Sequence, residues 1–215
     1  MKTMFRTCLG LGLLAMLAGP AMAQGRGGFG RGGGLGTLLG NASVQKELKL
    51  DDQQIEKAKE VADKDREKGQ EMRETLQGLE GEERMTKMRE LMKERNEATL
   101  KAAGAFLKPE QVTRLKQISH QQMGIMAFSD PEVAKKLNLT ESQKSDIQAI
   151  AQEMNEKRPS REDFQDDREA AMKKMQELNK EAMAKVESKL NDEQQKTWKE
   201  LIGAAFTIVY EPRPQ

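Results

Sequence analysis

Apolar residues recur at spacings of three and four along nearly all of the chain after residue 41. One such stripe runs through Ile55, Ala58, Ala62, Met72 and Leu76, and a second through Met85, Met88, Met92, Ala102 and Phe106. A third takes in Phe164, Ala171, Met175, Leu178 and Ala182. This period belongs to amphipathic helices that bury a narrow seam, and no strand is read anywhere. Polar residues interrupt each seam: Asp65 and Gly69 in the first, Arg95 and Thr99 in the second, Arg168 in the third. The expectation is long helices joined at their ends and loose or open between.

The stripes and their punctuation set the elements. A short helix spans Val44–Leu48, a second runs from Asp52 to about Gln77, and Gly78 and Gly81 mark a turn. A long helix follows from Glu82 to about Phe106, then another from Pro109 to about Met126. The order then repeats. Ser129-Asp130-Pro131 opens a short helix to Leu137, and the next spans Glu141 to Lys157. Arg158-Pro159-Ser160 breaks the chain, a long helix runs from Arg161 to about Lys189, and the last from Asp192 to about Thr207.

Four helix starts share one phrase: LKLDDQQ at Leu48–Gln54, LKPEQ at Leu107–Gln111, LNLTESQ at Leu137–Gln143 and LNDEQQ at Leu190–Gln195. In the third, Leu139 precedes Thr140 as N-cap and Gln143 falls at N3, the form of a capping box. Leu50, Asp51 and Gln54 repeat that form, as do Leu190, Asn191 and Gln194. Leu107 and Gln111 flank Lys108, a poor cap, but Pro109 sits at N1, where its fixed φ suits a helix. The first and third phrases align at an offset of 89 residues, the second and fourth at 83. The chain therefore reads as a tandem duplication with two phrases in each half.

The ends read differently. Lys2 and Arg6, an apolar run from Cys8 to Ala18 and Ala21-Met22-Ala23 have the form of a cleaved secretory leader over residues 1–23. Residues 24–40 read as a glycine-rich flexible linker, 41–128 as the first helical repeat, 129–210 as the second, and 211–215 as a tail. Without Lys2 and Arg6 the 36 basic residues become 34 against 35 acidic ones, a net −1 with His120 neutral. That balance argues against nucleic acid as a partner. Charged residues are 33% and aromatic residues 4%, which suits thin helical bundles rather than a thick globule.

Candidate chemistry is sparse. His120 is the single histidine, and Cys8 leaves with the leader, so no metal site, cofactor or stable membrane insertion is expected. Acidic clusters at 80–83 and 162–167 are interleaved with basic residues and read as solvated helix faces. No nucleophile–base pair or phosphate loop is found, so no enzyme is expected. The methionines read as core, as an adaptable binding surface, or as thioether ligands for Cu(I).

The four phrases resemble the LTxxQ motif of the periplasmic Spy/CpxP family, with Leu139-Thr140-Glu141-Ser142-Gln143 the full match and Asp51, Lys108 or Asn191 replacing threonine elsewhere. The resemblance implies an all-α fold of elongated antiparallel hairpins in a thin, curved, cradle-like bundle, here with two pseudo-repeats in one chain. It implies a periplasmic, ATP-independent holdase-type chaperone for unfolded or partly folded envelope proteins. The alternative it offers is a regulatory or metal-responsive stress protein acting on a sensor kinase. The chain would be a monomeric pseudo-dimer or a homodimer. Candidate client-binding residues are Met85, Lys87, Met88, Arg89, Met92, Lys93 and Arg95 in the first half. In the second they are Phe164, Arg168, Met172, Lys173, Lys174 and Met175. Basic groups would attract acidic client segments, and apolar groups would then cover their hydrophobic surface.

Overall fold

The computed structural model describes residues 34–210. The expected leader, most of the linker and the 211–215 tail lie outside the described residues. The described chain is all-helical: α1 (Leu35–Leu39), α2 (Ala42–Glu47), α3 (Asp52–Thr75), α4 (Gly81–Gly104) and α5 (Pro109–Met123). A 3-10 segment, Gly124–Ser129, leads to α6 (Pro131–Lys136), α7 (Glu141–Glu156), α8 (Arg161–Asp166), α9 (Arg168–Glu187) and α10 (Asp192–Ile202). No described helix is long and apolar enough to cross a membrane.

The linker reading fails at its end. Residues 35–39 form α1, and Leu35, Leu38 and Leu39 are buried in the first core with Val44, Ala58, Leu115 and Ile118. The glycines hid this, because their role here is close approach rather than flexibility. A Cβ on Gly36 would overlap the Asp65 side chain. The counterpart of α1 at the 89-residue offset is the 3-10 segment, whose Ile125, Ala127 and Phe128 are buried in the second core. Both repeats thus begin earlier than residues 41 and 129.

The same offset holds bond by bond. Asn41 caps α2 by accepting from Ser43 and Val44, and Asp130 caps α6 by accepting from Glu132 and Val133. Lys49 (φ 52°) and Asn138 (φ 48°) are the two described non-glycine residues with positive φ. Each sits just past a short helix, and the next leucine donates back across it: Leu50 N–H to Gln45 O and Leu139 N–H to Ala134 O, each 3.0 Å. This is a Schellman closure followed directly by a capping box. It explains why the phrase needs its leucine immediately before the cap residue.

Three helix ends differ from the expected ones. The long helix expected from Arg161 is broken at Asp167 (φ −139°, ψ 91°), where its side chain accepts from Ala170 N–H and starts α9 anew. Asp167 competes as an N-cap and wins over helix continuation. α5 ends before Gly124 (φ 55°) and α10 before Gly203 (φ 61°), both left-handed. A Cβ on Gly203 would also overlap the Gln117 amide.

The halves meet through α5 and α10, which hold equivalent places. Gln117 of α5 donates to Glu200 O at 3.0 Å, and 117 and 200 are separated by the same 83 residues as the motif glutamines. Gln121 donates to Ile202 O and Ala204 O, Arg114 to Ala204 O, and His120 Nδ1 lies 3.0 Å from Leu201 O. α5 side chains therefore satisfy the orphan carbonyls at the end of α10. The half-buried His120 belongs to that cap, not to an open helix surface. Beyond Gly203 the chain returns to the first half. Phe206 and Ile208 pack on its core, and Val209 N–H donates to Ser43 Oγ at 3.0 Å. On the other side Phe128 stacks on Trp198 with centroids 4.3 Å apart.

The polar interruption of the first two seams is not an opening. Arg95 Nε donates to Asp65 Oδ1 at 2.8 Å, its Nη2 to Oδ2, and Thr99 Oγ1 to Asp65 Oδ1 at 3.0 Å. Gly69 leaves room for the guanidinium, and Gly34 and Gly36 lie over the pair. The matching positions of the second half are Met154, Leu178 and Ala182, which line one shallow groove. At these positions one repeat holds a buried ion pair and the other apolar side chains. Removing one partner of a buried pair strands the other charge, whereas replacing the whole set is often neutral. Arg95→Leu should cost on the order of 3 kcal/mol in chemical denaturation. Adding Asp65→Met and Thr99→Ala, which installs the second repeat's set, should restore most of it. A triple variant no more stable than Arg95→Leu would show that the pair is not interchangeable with packing.

Candidate functional site

The motif glutamines come together in two pairs. Gln54 Nε2 donates to Gln111 Oε1 (2.9 Å) and Gln111 Nε2 donates to Gln54 Oε1 (3.2 Å). The remaining hydrogens reach backbone across the pair, Gln54 to Phe106 O (2.9 Å) and Gln111 to Leu48 O (3.0 Å). Each Oε1 also accepts from its own N-cap backbone, Asp51 N–H and Lys108 N–H. Both primary amides are thereby fully used, two donors and two acceptor positions each. Gln143 and Gln194 repeat the arrangement at 2.8 and 3.0 Å, with Lys189 O and Leu137 O as the outer acceptors. Only a side chain with a carboxamide and this reach serves; glutamate lacks the donors and asparagine the length.

This constellation holds helix ends and leaves no free group for chemistry. Asp51, Thr140 and Asn191 each accept from the N3 backbone N–H of Gln54, Gln143 and Gln194, and Leu107, Leu139 and Leu190 are buried beside them. Leu50 packs against the first core. Lys108 keeps the reciprocal bond from its own N–H to Gln111 Oε1, at 2.8 Å, while Pro109 starts the helix.

The proposed contact residues separate by environment. Met85 and Met92 are 44% and 45% exposed on α4, with Met88 half-buried between them and Leu91 half-buried alongside. Arg89 is exposed, Lys87 pairs with Glu90 at 2.9 Å, and Lys93 with Glu97 at 3.8 Å. The Glu90 bond raises the Lys87 pKa above its ordinary value. Two candidates leave the set. Arg95 is only 16% exposed and committed to Asp65, because its alkyl stem points into the seam. Met175 is 3% exposed and is a core residue, with Pro159 and Ala171 buried as well. Arg168, Lys173 and Lys174 are exposed, and Phe164 and Met172 half-buried. Met85, Met88, Met92 and Arg89 share one face of α4, with Lys93 at its edge and Lys87 on the far side; the second-half residues do not form an equivalent open face. The sequence offered a hint of each, since an arginine on a seam needs a partner and Met175 lies on the apolar stripe with Ala171, Leu178 and Ala182.

No family model, curated protein or solved structure matches the chain. The resemblance to LTxxQ proteins rests on the four motif segments alone.

Two electrostatic details set the second half. Glu153 on α7 accepts from Lys157 at 2.7 Å and from Lys185 of α9 at 2.8 Å. These bonds, Lys157 first, pull its carboxyl from 4.5 down to about 2. Asp163 is also held below its ordinary value, chiefly by the Ser160 backbone N–H and then by the Ser160 hydroxyl.

Two tests follow from this geometry. Gln54→Ala and Gln111→Ala should each cost about 1–3 kcal/mol by stranding buried backbone carbonyls. The double variant should cost less than the sum, with a coupling of about 0.5–3 kcal/mol. Strict additivity in urea melts would mean that the amides do not hold each other. For Glu153 the folded pKa is depressed, so its stabilisation is present above pH 4.5 and lost as pH falls from there toward 2. Glu153→Gln should therefore flatten the acid limb of stability over that window while leaving the pH 7–9 dependence unchanged. An acid limb identical to the parent's would remove the α7–α9 bridge as its cause.

Proposed function

We propose that this protein is an exported, non-enzymatic holdase: it captures partly unfolded proteins on the methionine face of α4 and needs no nucleotide. The carrying observation is the exposure of Met85 and Met92 on a helix that also displays Arg89, Lys87 and Lys93. Large apolar side chains exposed this far are few among the described residues; the others are Met126, Val209 and Tyr210. Flexible thioethers repack against many shapes, which suits a surface without a single partner. The neighbouring cations would draw in acidic segments at a distance, an effect that salt screens over about 10 Å at 0.1 M. The LTxxQ-like phrases favour a place in the bacterial envelope and a cradle built by one chain, with α5 and α10 joining the two halves as subunits would. No observation favours the stress-sensor alternative over this one.

The chain from residue 24 should slow aggregation of a reduced or heat-treated reporter protein at equimolar ratio, as measured by light scattering. Met85→Ser with Met92→Ser should lose most of that effect at unchanged melting temperature, and about 0.5 M salt should weaken capture. Full suppression by the double variant would reject the α4 face. Protection that appears only after adding zinc, nickel or copper would favour the metal-responsive alternative.

A further inference from the structure

Past Gly203 (φ 61°) the chain leaves α10 and crosses to the first half, forming neither helix nor strand up to residue 210. Phe206 and Ile208 are half-buried against the first core while Thr207 and Val209 are exposed, the period of an extended segment. Side chains of the first half hold it by its backbone. Gln121 of α5 accepts from Phe206 N–H at 2.9 Å through Oε1 and donates to Ala204 O at 2.8 Å through Nε2. At the far end Ser43 Oγ accepts from Val209 N–H at 3.0 Å, and Asn41 Nδ2 donates to Val209 O at 2.9 Å. Two polar clamps thus read N–H and C=O groups of an extended chain, and among the described residues no hydrogen bond uses a side chain of residues 204–210.

This segment is a layer apart from the core beneath it. Every buried member of the first core lies between Leu35 and Ile118, so neither Phe206 nor Ile208 belongs to it. The segment after Gly124 differs, because its Ile125, Ala127 and Phe128 are buried members of the second core. The clamps also belong to the first half alone. Asn41 caps α2 with Oδ1 and keeps Nδ2 for Val209, whereas Asp130, its equivalent at the 89-residue offset, caps α6 with a carboxylate that has no donor. The equivalent of Gln121 at the 83-residue offset is Ala204, which has no polar side chain.

We propose that the first repeat carries a groove for extended peptide segments, between the start of α2 and α5, and that residues 204–210 fill it in cis as a displaceable strap. The partner in trans is an unstructured chain segment with an aromatic residue and an aliphatic one two positions later, the pattern of Phe206-Thr207-Ile208. The strap itself selects this occupant, since it shows which chemistry the groove accepts. Clamps on the backbone give affinity without demanding a sequence, and the two inward positions set the preference, as in strand addition to a sheet edge. The Arg114 guanidinium, 6.0 Å from the Phe206 ring centroid, favours an aromatic residue at the first of them. With two half-buried anchors and no ladder of its own, the strap shields the groove until a segment in trans competes for it. The site is separate from the α4 methionines and does not rest on the reading of that face.

The probe is a fluorescein-labelled, end-blocked peptide of residues 203–213, tested by polarisation against the chain from residue 24. Two opened forms are compared with the intact chain: Phe206→Ser with Ile208→Ser, which loosens the strap, and a chain ending at Gly203, which removes it. Both opened forms should bind saturably, and the intact chain about tenfold more weakly, because the cis strap competes at an effective concentration on the order of 1 mM. A peptide carrying Phe206→Ala should lose about tenfold, the change expected from losing one apolar anchor. Asn41→Asp in the loosened chain keeps the α2 cap, as Asp130 does for α6, but removes the donor to the peptide carbonyl, and should weaken binding about fivefold. No saturable binding to either opened form below about 1 mM overturns the proposal. So does equal affinity of the intact and opened chains, or an Asn41→Asp variant that binds as its parent does. Loss of the helical circular dichroism signal in both opened forms would make the strap part of the core, and the proposal would fail on that ground too.

Discussion

Everything in this fold hangs on a pair of carboxamides. A helix start leaves backbone N–H groups unpaired, and a helix end leaves carbonyls unpaired. Gln54 and Gln111 join two starts and the ends that precede them in a single ring of hydrogen bonds, with no donor or acceptor spare. The glutamine at N3 closes its own capping box with one lone pair and reaches its partner with the rest. The clasp therefore fixes both the angle at which the chain enters each helix and the pairing of helices distant in sequence. Burial makes it specific, because an unmatched amide there would cost the full desolvation of its polar atoms.

A clasp at one end of a hairpin leaves the remainder free to vary, and the two repeats use that freedom differently. Between the clasp and the far turn the first repeat joins α3 and α4 through Asp65, Arg95 and Thr99 and roofs them with α1. The second fills the same space with Met154, Leu178 and Ala182 and a 3-10 segment. An ion pair specifies register and demands glycines around it; apolar packing tolerates change. Farther out, α3 runs 24 residues and α7 16, and Met92 is exposed where Met175 is buried.

The junction of the halves follows the same economy of backbone groups. α10 stops at Gly203, and its last carbonyls are satisfied by Gln117, His120, Gln121 and Arg114 of α5. The outgoing chain then lies on the first core, where Phe206 and Ile208 replace water. A tether in both directions makes separation of the two halves costly.

The sequence by itself determined the helical class, most helix starts, the pairing of motifs within halves and the methionine stripe. These are set by local rules: side-chain period, cap chemistry and the reach of a glutamine over one turn. Tertiary structure alone decided three matters. It made Leu35–Leu39 a helix packed on the first core, because glycine spacing reads as flexibility until Asp65 is seen beneath it. It turned Arg95 from a surface cation into half of a buried pair, since a seam position becomes polar-paired only when its partner thirty residues away is in place. And it hid Met175 while exposing Met92, although the two are equivalent in sequence. Exposure depends on what the surrounding segments cover, and no periodicity along one helix carries that information.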